Sequence, residues 1–299
     1  MFDERIDKRI KFEQISDLVK DGMTLAIGGY LTANKPMAII RQIIKKGIKD
    51  LTVIAFPSSI ELDLLIACGC VKKVICPYVG MESLSMIAPF FRMKAEEGSL
   101  EIREVDVAMV VCMLRAATQG LPFLPWKGGI GTSIPEINPD IKMVDDPFGS
   151  GKLLAIPPLS PDLALIHAAQ SDIHGNVQHK GKSFTDGLLA RASKKVIVQV
   201  EKIVSNAEIK FNFFETTIPA VLVDGILLAP YGAHPLSSQG YYCEDEQYIK
   251  EYISVANKFI KGDKKGFTDF AQEYVYGPSS LEDYLETVSL RRLLSLREA

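Results

Sequence analysis

The sequence predicts an α/β protein, an open parallel or mixed sheet with helices on both faces. Three observations lead there. Short apolar, β-branched runs alternate with helical patterns along most of the chain. Most of these runs are apolar throughout, as strands covered on both faces are. The first run is followed at once by Gly28-Gly29-Tyr30 and then a helix, a layout that brings backbone and ligand close. With 299 residues, 47% hydrophobic and 24% charged, the chain can bury a large core. No linker, internal repeat or low-complexity tract divides it. Residues 1–299 are therefore read as a single domain, with a helical C-terminal tail from about residue 245 to 299.

Residues 10–20 form the first helix, with Ile10, Phe12, Ile15, Leu18 and Val19 on roughly one face. Leu25, Ala26 and Ile27 form the first strand, after the Asp21-Gly22 turn. Residues 36–47 are helical, with Pro36 in the first turn and Gly47 at the stop. Residues 51–56 are a strand ended by Pro57, residues 60–68 a helix and residues 73–76 a strand. Residues 83–97 are a helix interrupted by Pro89. Residues 100–105 mostly alternate apolar and charged, as a half-exposed strand does. Residues 106–119 are a helix stopped by Gly120. Residues 163–167, 196–200 and 221–223 read as strands, and the proline-rich 157–161 as a connection. Past Cys243 the chain turns polar and helical through Ser295, to pack on the outside or on a partner.

A net charge of −3 advertises no nucleic-acid-binding surface. The charged start lacks the apolar segment of a secretory signal. No apolar run approaches the roughly 18–20 residues that span a bilayer, so no membrane role is expected. Cys68, Cys70, Cys76, Cys112 and Cys243 are odd in number and lack paired metal spacing. They read as reduced thiols of a cytoplasmic protein.

Two glycine-rich segments are candidates for the site. At Gly28-Gly29-Tyr30 the missing Cβ atoms let backbone N–H groups approach an anionic or carbonyl oxygen. The helix that follows adds a partial positive end, Lys35 a full charge, and Asn34 lies in the loop between. A plain tight turn is the competing reading. The second segment, residues 120–132, carries Phe123, Trp126 (the only Trp), Lys127, Gly128 and Gly129. It is either a surface loop or a functional one; long Pro/Gly loops inside compact domains tend to be functional. Asp172, in Ala169-Gln-Ser-Asp-Ile-His-Gly-Asn176, can bond back to its own turn, a structural duty. His174 and His179 have no third metal ligand at a recognised spacing, so no metal is expected.

Residues 21–36 closely resemble the glycine signature of family I coenzyme A transferases, in the A or alpha subunit. The pattern is an acidic-Gly turn, three apolar residues, Gly-Gly-aromatic, and a Pro. Tyr30 replaces the usual Phe and Asn34 a usual Gly. Residues 120–125 resemble the Gly-Leu-Pro-Phe-x-Pro segment of glutaconate transferase alpha subunits, which lies at or near the active-site cleft in this family. Ala169, Asp172, Gly175 and Asn176 match a further family pattern. So do the lead-in and strand at 190–204, and Gly-Ala-His-Pro at 232–235. The resemblance runs from about residue 10 to 245 and is nearest to the glutaconate type.

The resemblance implies acyl transfer through a glutamate that attacks an acyl-CoA and becomes a glutamyl-CoA thioester. In the family that glutamate sits on the B (beta) subunit, or on the second half of a fused chain, followed by Asn-Gly or Ser-Gly. This chain has no Asn-Gly, and Glu82-Ser83-Leu84 lacks the glycine. The expectation is half an enzyme, with coenzyme A as substrate, no permanently bound cofactor, and a beta subunit of similar fold supplying the nucleophile. A branch of the fold hydrolyses cyclic CoA thioesters of steroid degradation. There the resemblance places the working glutamate on the alpha-type chain, near residues 101–107. Glu82 and Glu104 are thus the weak catalytic candidates here, with Glu101 and Asp106 nearby. Val107 stands where those hydrolases carry an acid, which favours the transferase. A non-catalytic CoA-binding partner is the third reading.

Overall fold

The structure, a computed structural model, describes residues 6–297. The outermost residues of the expected 1–299 unit lie outside that range. Seven strands form the parallel body of the main sheet: β1 (Thr24–Ile27), β2 (Leu51–Ala55), β3 (Val71–Ile75), β4 (Glu101–Arg103), β8 (Leu163–Ser171), β10 (Val196–Ile203) and β12 (Gly225–Leu228). Their order is β4-β3-β2-β1-β8-β10-β12. The far end of β8 pairs antiparallel with β9 (Val177–Gln178), and β9 with β11 (Thr216–Ile218).

Alternation along the strands sends side chains into two cores, one on each face. Leu25, Ile27, Val53 and Leu165 enter the first. Ala26, Ile54, Ala164 and Ile166 enter the second. The first core is covered by α1 (Phe12–Leu18), α2 (Met37–Lys45), α3 (Ile60–Ala67) and α4 (Pro89–Glu96). The second is covered by α5 (Val107–Thr118) and α7 (Asp186–Ala192). The expected parallel or mixed sheet, with helices on both faces, is what forms.

Three expectations need correction. Pro89 starts α4 instead of interrupting a longer helix. Its missing N–H costs nothing at a first turn, and residues 82–88 are turns and loop. Residues 221–223 are not a strand: Ala220–Leu222 is a 3-10 turn with Val221 86% exposed, and pairing begins at Gly225. The 120–132 segment is not all loop. Its middle is β5 (Leu124–Trp126), paired with β7 (Lys152–Ile156), which also pairs with β6 (Lys142–Asp145) in a second antiparallel sheet. The short α6 (Ile134–Ile137) lies between β5 and β6.

The C-terminal helices pack on this chain itself. After α8 (Asn206–Phe211) come α9 (Glu246–Ile260), α10 (Lys265–Ala271), a π turn at Gln272–Tyr276, α11 (Leu281–Val288) and α12 (Leu290–Ser295). Tyr248, Tyr252, Phe270 and Tyr284 join the first core. Phe90 of α4 meets Phe267 at 4.6 Å between ring centroids. This layer explains why α2 and α3 are buried on nearly all sides, charged residues included.

Candidate active-site crevice

From β1 the chain runs outward through β2, β3 and β4, then returns to β8 on the other side and continues to β10 and β12. β1 and β8 flank a topological switch point, and ligands of open α/β sheets bind in the crevice beyond the carboxyl ends there. Gly28 stands at that place. Its N–H donates to the Leu165 carbonyl of β8 at 2.8 Å.

Four loops interlock at this rim. Tyr30 and Ala33 exchange backbone hydrogen bonds, and the Leu31 N–H donates to the Pro57 carbonyl. The Asn34 N–H donates to the Ser237 carbonyl at 2.8 Å, and Asn34 Oδ1 accepts from the Gln239 N–H at 3.1 Å. Gln239 Oε1 accepts from the Lys182 N–H at 2.9 Å, and Tyr30 stacks on Phe184 with centroids 5.2 Å apart. Asn34 has φ 56, in the left-handed region that asparagine tolerates better than most residues. That is how Asn serves where the family pattern carries Gly.

The glycines are required, but for packing within the chain. Gly29 has φ +75, and a Cβ there would lie 2.4 Å from both the Ala33 and Asn34 carbonyl oxygens. Its N–H donates to Asp186 Oδ1 at 2.8 Å. A Cβ on Gly28 would meet the same carboxylate oxygen at 2.7 Å. The expectation that these two amides stand open to a ligand is thus corrected: both already have acceptors.

Lys35 is corrected in the same way. It is fully buried, and its Nζ lies 2.9 Å from Glu61 Oε1, which is also fully buried. Glu61 further accepts from the Ser58 hydroxyl and the Ser59 N–H. Lys35 therefore offers no free charge to an anion. Nor does the N-terminus of α2: the N–H groups of Met37, Ala38 and Ile39 donate to Lys35 O, Gly232 O and Gln199 Oε1.

The second glycine segment packs on the other core. Trp126 and Tyr30 both lie against that cluster, so the two segments share a core face. A Cβ on Gly128 would meet Trp126 Nε1 at 2.4 Å, and one on Gly129, at φ +87, would meet Met109 at 2.6 Å. Phe123 is 40% exposed, and Lys127 is exposed with Asp146 3.9 Å away.

Among the described residues, the buried carboxylates are all engaged. Asp63 accepts from the Tyr252 hydroxyl and the Phe90 and Phe91 N–H groups. Burial outweighs those bonds and raises its pKa to about 6. Asp172 accepts from the His174 and Asn176 N–H groups and from the Asn176 and Asn206 side chains, the structural duty expected of it. Burial opposes its charge, but these bonds prevail and lower its pKa. Glu201 accepts from the Tyr231 N–H and the Tyr242 hydroxyl. Asp245 is held by His234, Arg292 and the Tyr248 N–H. Asp186 holds Gly29 and His179. Glu82, at φ 47, is exposed in the loop after β3; Glu101 and Glu104 are exposed at β4 and just after it. Asp106 Oδ1 caps α5 by accepting from the Met109 N–H, and Val107 is 42% exposed.

Sequence reading missed Asp186, Glu61 and Ser58 at this rim. Asp186 reaches Gly29 across 157 positions, which no local spacing can reveal. His179, weighed only as a metal ligand, is fixed between Asp186 and Thr217.

A doubly wound sheet with a tight glycine turn at its switch point, walled by loops that follow β2, β9 and β12, defines a CoA-transferase-type α/β fold. The chain belongs to the coenzyme A transferase family, whose pattern, described as Coenzyme A transferase, matches residues 11–229. It is 32% identical over 301 residues to the alpha-type (A) chain of glutaconate CoA-transferase from Acidaminococcus fermentans, covering 95% of this chain and 92% of that protein. It is equally 32% identical, over 291 residues, to the cholesterol ring-cleaving hydrolase IpdA subunit of Mycobacterium tuberculosis, covering 94% of this chain and 97% of that one. The crystal structure of the Acidaminococcus glutaconate coenzyme A-transferase superposes with a TM-score of 0.90, covering 98% of this chain and 96% of that one. Among the described residues no helix is long and apolar enough to cross a membrane.

Proposed function

We propose that this chain is the alpha subunit of a heteromeric CoA transferase of the glutaconate type. It moves coenzyme A between an acyl-CoA and a free carboxylic acid, dicarboxylic acids included. Coenzyme A is a substrate, and no cofactor is permanently bound. The enzyme works in the cytoplasm, and residues 1–299 act as one domain. Gly28, Gly29, Tyr30, Asn34 and Lys35 build one wall of the cleft, the last through its buried ion pair. Phe123, Trp126, Lys127, Gly128 and Gly129 build another.

A beta subunit of similar fold brings the glutamate. Its carboxylate attacks the thioester carbonyl and expels the CoA thiolate, leaving a mixed anhydride. The thiolate then attacks the glutamyl carbonyl, releasing the first acid and leaving glutamyl-CoA. The second acid repeats these steps in reverse. The amides of Gly28 and Gly29 are already bonded within the chain, so other donors stabilise the oxyanions.

One observation carries the reading: every buried carboxylate among the described residues is held by at least two partners, so none is available to attack a thioester. Exposed apolar residues on the carboxyl side of the sheet support a partner there. Met86 is 79% exposed, Phe211 83% and Phe214 78%. The ring-opening hydrolase is the second reading, since identity to both kinds of relative is the same. Against it stand Asp106, occupied as a helix cap, and the apolar Val107.

Co-expression with the beta-type partner of the same genome, assayed on a panel of acyl-CoA donors and acid acceptors, tests this. The complex is expected to be active and the lone chain inactive. Robust transfer by the lone chain overturns the proposal, and hydrolysis of a cyclic CoA thioester without transfer favours the second reading.

A further inference from the structure

Asp186 is fully buried and takes no part in the chemistry proposed above. Its Oδ1 accepts the Gly29 N–H at 2.8 Å and lies 2.7 Å from where a Gly28 Cβ would be. Its Oδ2 is 3.1 Å from His179 Nε2, and His179 Nδ1 is 2.6 Å from Thr217 Oγ1. The Thr217 hydroxyl lies farther from its other acceptor, the Val177 carbonyl, at 3.3 Å. The Asp186 carboxylate can only accept, so Nε2 carries the proton that faces it; in that tautomer Nδ1 accepts from the Thr217 hydroxyl. A continuous chain therefore runs from β11 through β9 to the glycine turn. Each side chain in it is bonded to the next, and the turn it ends on has no room for a Cβ at Gly28 or Gly29.

We propose that Asp186, held in place by His179 and Thr217, is a positioning residue that fixes the Gly28-Gly29 turn and through it the shape of the reaction crevice. This rests on the transferase reading for its catalytic consequence, though not for its geometry. Asp186→Ala removes the acceptor of the Gly29 N–H. Asp186→Asn keeps an acceptor oxygen on Gly29. His179 can then accept at Nε2 from the new amide and donate from Nδ1 to the Thr217 oxygen, with the hydroxyl turned to Val177.

The experiment uses the co-expressed complex. For Asp186→Ala, amide exchange across residues 28–34 is expected to rise on the order of tenfold or more, with β2 unchanged. The kcat is expected to fall on the order of 10- to 100-fold, with KM for the acyl-CoA moving far less. Asp186→Asn is expected to restore both to within about threefold of the unaltered complex. Tyr252→Phe, which loses a hydrogen bond on the opposite face, is the control for general destabilisation. Unchanged exchange at 28–34 in Asp186→Ala overturns the proposal. So does a control that loses as much kcat, or an Asn variant as impaired as the Ala variant. An unaltered complex inactive on every donor and acceptor sinks the transferase reading instead, and the exchange result then decides the positioning claim.

Discussion

Two hydroxyl–histidine–aspartate chains are built into this protein to the same plan. Thr217, His179 and Asp186 serve the glycine turn; Tyr284, His234 and Asp245 serve the C-terminal helices. In both, Nε2 faces the aspartate and Nδ1 the hydroxyl, the reverse of a hydrolytic triad, and both imidazoles are fully buried. What differs is the end of the chain. Asp245 caps α9 through the Tyr248 N–H and is braced by Arg292, so several bonds share the load. Asp186 ends on one amide, the Gly29 N–H, of a turn with no room for a Cβ. A triad-like order of residues is therefore no sign of catalysis by itself. What lies at its end decides whether it holds a helix or shapes a site.

Glycine replacement should break the symmetry most strongly. Gly29→Ala combines a left-handed backbone with a Cβ 2.4 Å from two carbonyl oxygens. It is expected to cost about 3 kcal/mol or more in urea unfolding. Gly262, in the tail at φ +101, has open space around its Cβ position. Gly262→Ala should cost only about 1 kcal/mol, the left-handed penalty alone.

The buried pair beside the turn comes next. Lys35→Met leaves Glu61 charged and unpaired in the core and should cost about 3–5 kcal/mol. Adding Glu61→Gln should recover much of that in the same unfolding assay. A single-mutant cost below about 1 kcal/mol would mean that water reaches the pair.

On the tail side the sharper tests are in pH. The Asp63 carboxyl, raised by burial from 3.8 to about 6, binds a proton in the folded state before it does in the unfolded one. Its contribution to stability is therefore full at low pH and declines as pH rises from about 4 to about 6, by an amount of order 1–3 kcal/mol. Asp63→Asn should flatten that part of the stability–pH curve. His234 shifts in the other sense: burial holds it below 6.5 despite the opposing Asp245 carboxylate. As pH falls below 6.5 the unfolded chain takes up a proton first and stability is lost. His234→Gln should therefore be destabilised at about pH 7.5 but lose part of that penalty by about pH 5.

Much of the fold was legible because local patterns carried it. The apolar strands, the Gly47 and Gly120 stops and the glycine turn all follow from residues next to one another. The second sheet was not, because Lys142–Asp145 is four residues long, charged at both ends and mostly exposed, and Pro125 sits within β5. The strand expected at 221–223 failed because β-branched residues there follow Pro219 into a turn. At the site, the sequence singled out Gly28 and Gly29 for open amides, whereas the structure bonds both amides within the chain. Their amides, Lys35 and the Ala38 and Ile39 N–H groups of α2 are satisfied by groups that arrive from residues 61 to 232, and only the folded chain brings those together.

The central claim is that this chain shapes the crevice while the reacting carboxylate comes from elsewhere. The most direct test is to incubate the co-expressed complex with acyl-CoA and reduce it with borohydride, which converts a thioester-bearing glutamate to an alcohol. Mass spectrometry is then expected to place that change on the beta subunit, with every glutamate of this chain intact. A reduced Glu82, Glu101 or Glu104 would contradict the account and move the catalytic centre into this chain.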